Sequence, residues 1–64
     1  MKNVYGLTAY ERILKDIELA ELAHGEHKQF LAHSALGAAE FAIDFGLLTY
    51  KEWGELTRKV FDIM

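Results

Sequence analysis

Residues 26–45 constrain this chain most. The run contains no Pro and is apolar around most of a helical circumference. At about 100° per residue its polar members fall on one narrow strip: Glu26, Gln29, His33, Glu40 and Asp44, with Gly37 among them. Phe30, Phe41 and Phe45 line one flank of the remainder. Leu31, Ala35, Ala38 and Ala42 line its middle, and Ala32, Leu36, Ala39 and Ile43 the other flank. A helix so apolar all round is buried on several sides. It is expected to be the central element, with its alanines admitting another helix near the short end of the usual ~8–10 Å spacing.

The flanking segments supply covering helices. Thr8 and Glu11 form a capping box that starts a first helix, and Gly25 is its expected stop, since Gly accepts left-handed geometry. On this helix Tyr10, Ile13, Leu14, Ile17, Ala20 and His24 share one face. Leu19 and Leu22 lie on the far side and hint at a second contact surface. Thr49 and Glu52 form a second capping box, with Leu48 and Trp53 placed as a hydrophobic staple. The apolar face of this third helix reads Tyr50, Trp53, Leu56, Val60, Phe61 and Met64, with Lys51, Glu55, Arg58, Lys59 and Asp62 toward water. Gly54 interrupts it, at a cost of about 1 kcal/mol relative to Ala unless a close approach needs it.

The expected fold is therefore all-α: one domain over 1–64, with helices at about 9–24, 26–45 and 50–63. They form an antiparallel up-down-up three-helix bundle around helix 2. With 64 residues, 52% of them hydrophobic, the chain has little interior in which to hide its apolar surface. The excess points to completion of the bundle by dimerisation or by a bound partner. The aromatics of the helices, Tyr10, Phe30, Phe41, Phe45, Tyr50, Trp53 and Phe61, are read as mostly core, and one or two that are exposed would become interface anchors. Tyr5 lies outside the helices and packs over the bundle or reaches a partner.

Composition narrows the function classes. A net charge of −3 with no basic run lacks the electrostatic footprint of a nucleic-acid binder and argues against anionic membrane surfaces. No segment reads as a signal peptide or as a membrane span of about 20 predominantly apolar residues, so the cytoplasm is the expected compartment. There is no Cys, no Gly-rich phosphate loop, no His-Glu-x-x-His and no nucleophile elbow, and the only Ser is Ser34. Neither an enzyme nor a cofactor is expected. His33 and Glu40 stand two turns apart, too far for direct contact along one helix.

Two alternatives remain in view. Glu21, His24 and His27 cluster near the first turn and are candidate metal ligands, although structural metal sites usually carry paired ligand runs. Ala42, Gly46, Leu47 and Thr49, ahead of a helix bearing Lys51, Arg58 and Lys59, echo helix-turn-helix spacing. Glu52, Glu55 and Asp62 oppose phosphate contact there. The segment FGLLTYKEWGEL (45–56) resembles short C-terminal hairpins in which Gly-hydrophobic-hydrophobic-Thr opens the last helix. In size and composition the chain is similar to small accessory proteins of phages and mobile elements. The leading expectation is a non-catalytic regulator, inhibitor or adaptor that binds another protein through a helical face. Leu19, Leu22, Tyr5, Trp53, Ala35 and Ala39 are the candidate contact residues.

Overall fold

The computed structural model describes residues 6–64. Within them the chain is all-helical, with α1 over Ala9–Leu22, α2 over Gly25–Asp44 and α3 over Tyr50–Ile63. Each helix packs on both others, so α1 and α3 also meet and the three close a triangle. The chain extends over 33 × 23 × 14 Å, its long dimension close to the ~30 Å length of a 20-residue helix.

Both capping boxes form. The Thr8 hydroxyl oxygen accepts from the Glu11 N–H at 3.2 Å while the Glu11 carboxylate accepts from the Thr8 N–H at 3.0 Å. Thr49 and Glu52 repeat the exchange at 3.1 and 2.9 Å. Each box satisfies helix-start donors that have no partner within the helix, so the chain commits to a helix at these two points. Leu48, ahead of the second box, is buried, and Trp53 packs against the same core, as a hydrophobic staple requires.

Gly46 ends α2 as its sequence position implies. Its φ is +71°, its N–H donates to the Ile43 carbonyl, and the Leu47 N–H donates to the Ala42 carbonyl at 2.8 Å. This is a complete Schellman closure, and the left-handed residue inside it favours glycine. The first connection is different. Helix α1 ends at Leu22, two residues before the expected boundary, because Ala23 and His24 are both extended. Gly25, at φ +59°, opens α2 instead of closing α1. His24 therefore leaves the apolar stripe of α1 and becomes the exposed N-cap of α2, with no side-chain capping bond.

The core is built from Ile13, Ile17 and Ala20 of α1, from Ala32, Ala35, Ala39 and Ala42 of α2, and from Leu48, Leu56 and Val60. Ile17, Leu56 and Val60 are its largest fully buried side chains. So α2 contributes only methyl groups to the buried set. Small side chains let the backbones of α1 and α3 come close, and the branched residues of those helices fill the space that remains.

Two sequence expectations fail here. The first is the aromatic core. Phe30, Phe41, Phe45, Tyr50 and Phe61 are exposed, and only Tyr10 and Trp53 pack against the core. A phenylalanine ring in the place of the alanines would hold the helices apart and open voids beside it, and protein interiors are close-packed. The second is the buried face of α3. Tyr50, Phe61 and Met64 lie outside it, and Thr57 and Ile63 lie on or against it. Thr57 tolerates burial because its hydroxyl donates back to the Trp53 or Gly54 carbonyl, at 3.0 and 3.2 Å. The indole Nε1 of Trp53 is buried with no hydrogen-bond partner among the described residues.

Candidate interaction surface

With alanines inside, the large apolar side chains decorate the outer faces of the helices. On α2, Phe30, Phe41 and Phe45 are 67%, 60% and 68% exposed. At 100° per residue they fall with Ser34 and Gly37 within about 80° of arc, on the side of α2 turned away from the alanines. Phe41 and Phe45 stack, with ring centroids 4.5 Å apart and planes at 28°. Stacking at positions i and i+4 fixes the two rings relative to each other before anything binds.

A smaller apolar surface lies on α1. Leu19 and Leu22 are exposed, as their sequence position implies. They line shallow open grooves with Leu7, Lys15, Asp16 and Glu18, so this surface is bordered by charges of both signs. Arg12 and Asp16 form an i,i+4 ion pair at its edge. On α3, Tyr50 and Phe61 are exposed along one side.

Of the other candidate contact residues, Ala35 and Ala39 are wholly buried within the chain, so neither is on the surface. Trp53 is half-buried against the core. Tyr5 lies outside the described residues.

Glu21, His24 and His27 are exposed around the α1–α2 connection. Among the described residues no group of three or more His, Cys, Asp or Glu side chains is placed to hold a metal ion. Lys51, Arg58 and Lys59 of α3 are exposed, and so are Glu55 and Asp62 on the same helix. Among the described residues no helix is long and apolar enough to cross a membrane.

One polar link between helices was not legible from spacing. The Tyr10 hydroxyl of α1 donates to the Glu55 carboxylate of α3 at 3.1 Å. That bond, partial loss of water, and the nearby charges of Glu55 and Glu52 all disfavour a phenolate, so the Tyr10 pKa is raised from its ordinary value of 10.0. The partners are 45 residues apart, and no local pattern brings them together.

Comparison with known proteins returns no matching family, no matching characterised protein and no matching solved structure.

Proposed function

We propose that this protein is a non-catalytic interaction module of the cytoplasm: a small regulator, inhibitor or adaptor that binds another protein through the outer face of a helix. In this reading the helices run up-down-up and two copies associate to complete the bundle. One observation carries it: α2 buries alanines and exposes phenylalanines. A chain stable alone gains nothing from rings in water, and large exposed apolar side chains mark interaction surfaces. Aromatic residues, Phe among them, are enriched in such interfaces. The grooves beside Leu19 and Leu22 are shallow and open, whereas chemistry needs polar groups that converge in a pocket.

Affinity capture with the intact chain tests this, run beside two surface variants, Leu19→Ser/Leu22→Ser and Phe30→Ser/Phe45→Ser. The expected result is a saturable protein partner held by the parent and lost from one variant, with both variants keeping their helical circular dichroism. Equal retention of the same proteins by all three chains would overturn the proposal.

A further inference from the structure

We propose that the phenylalanine side of α2 is the seat of a second copy of this chain, packed antiparallel about a two-fold axis near Gly37 and Ala38. This deepens the association reading above and rests on it.

Three observations point to a copy of the chain as the occupant. The first is shape. Phe30 and Phe41 stand about 16 Å apart along the helix, with Ser34 and Gly37 between them. Both small residues are exposed, and a Cβ built at Gly37 meets nothing within 4 Å. The stripe thus carries knobs and a notch of its own. An antiparallel copy centred near Gly37 lays its Phe41 over Ser34, and the reverse. It also brings Phe30 beside Phe45 of the other copy at both ends. Such self-complementarity is what a two-fold interface requires.

The second is area. The three rings, each about two-thirds exposed, offer roughly 400 Å² per copy if an aromatic residue presents about 200 Å². A pair then buries about 800 Å² of phenylalanine surface. A standard interface of ~1,600 Å² contains about 900 Å² of apolar area in total. Three residues come near to supplying it.

The third is charge. Along one border of the stripe stand Glu26, Gln29 and His33 in the first half, and Glu40 and Asp44 in the second. Antiparallel packing sets His33 between Glu40 and Asp44 of the other copy. Parallel packing would put the two polar borders on opposite sides of the pair, setting each carboxylate beside the apolar border of the other copy that carries Leu31 and Ala38.

Because the described residues contain no cysteine, and neither does the rest of the sequence, single introduced thiols report the register. Sedimentation of the parent chain comes first, and a dimer at tens of micromolar is expected. Gly37→Cys, Ser34→Cys and Leu22→Cys are then oxidised under the same conditions. Gly37→Cys should form covalent dimer about tenfold faster than the other two, since Cα atoms more than ~7 Å apart cannot be bridged and the Ser34 pair is offset by about 10 Å in this register. Equal rates for Ser34→Cys and Gly37→Cys mark a parallel pair and overturn the proposal. Faster linkage of Leu22→Cys places the association on α1 and overturns the α2 seat while sparing association itself. A strict monomer overturns both.

Discussion

Tyr50 and Leu56 have the same standing in the helical periodicity of residues 50–63, yet truncating them should have opposite consequences. Leu56 is 0% exposed and is one of the three largest fully buried side chains of the core. Removing three carbons there costs the lost transfer energy plus a cavity, about 2–5 kcal/mol for a buried leucine. A 64-residue domain is stable by roughly 3–10 kcal/mol in all, at ~0.05–0.15 kcal/mol per residue. Leu56→Ala should therefore remove a large part of the stability and lower the thermal midpoint by more than about 10 °C. Tyr50 is 83% exposed. It hides less than a fifth of an aromatic residue's ~200 Å², about 35 Å², worth just under 1 kcal/mol. Alanine regains about 0.5 kcal/mol of that in helix propensity. Tyr50→Ala should be neutral within about 0.5 kcal/mol. The assay is urea unfolding followed by circular dichroism, at one fixed protein concentration because association would shift the midpoint. Similar slopes in the two variants are needed for the midpoints to be compared. If Tyr50→Ala costs as much as Leu56→Ala, the buried face of α3 is rotated from the one described.

Further outcomes follow from the same geometry. Ala39→Leu, although it makes the chain more hydrophobic, should cost about 1–3 kcal/mol in urea unfolding, because the site is closed on all sides. Gly54→Ala should stabilise by about 0.5–1 kcal/mol, since a Cβ there meets nothing within 4 Å and alanine restricts the unfolded chain. The folded chain holds the Tyr10 proton more tightly than the unfolded chain does, so Tyr10 contributes stability below pH 10 that is lost as pH rises through its raised folded value. Alkaline unfolding curves should accordingly fall more steeply for the parent than for Tyr10→Phe, and parallel curves would refute the Glu55 link. Thr49→Ala should cost about 1 kcal/mol by loss of its cap, read from the same unfolding curves.

The capping boxes at Thr8 and Thr49 and the stop at Gly46 could be placed from the sequence because each is decided by atoms within five residues. The exposed leucines of α1 were legible for a similar reason, since Leu19 and Leu22 stand opposite a well-defined stripe. The end of α1 was less so. Gly25 supplies a left-handed residue, but which helix uses it depends on how Ala23 and His24 turn. Hydrophobicity alone places the phenylalanines of α2 in the core, because it ranks a ring above a methyl group.

By itself, then, the sequence determined that three helices form, where two of them begin, and that the middle one is apolar on nearly every side. It could not determine which side faces inward. A helix with both an alanine side and a phenylalanine side has two apolar faces, and hydropathy does not choose between them. The choice was made by α1 and α3, whose Ile13, Ile17, Leu56 and Val60 fill the space only against small partners. Close packing is a property of three surfaces meeting, so the inward alanines, the outward rings and the Tyr10–Glu55 link exist only in the folded chain.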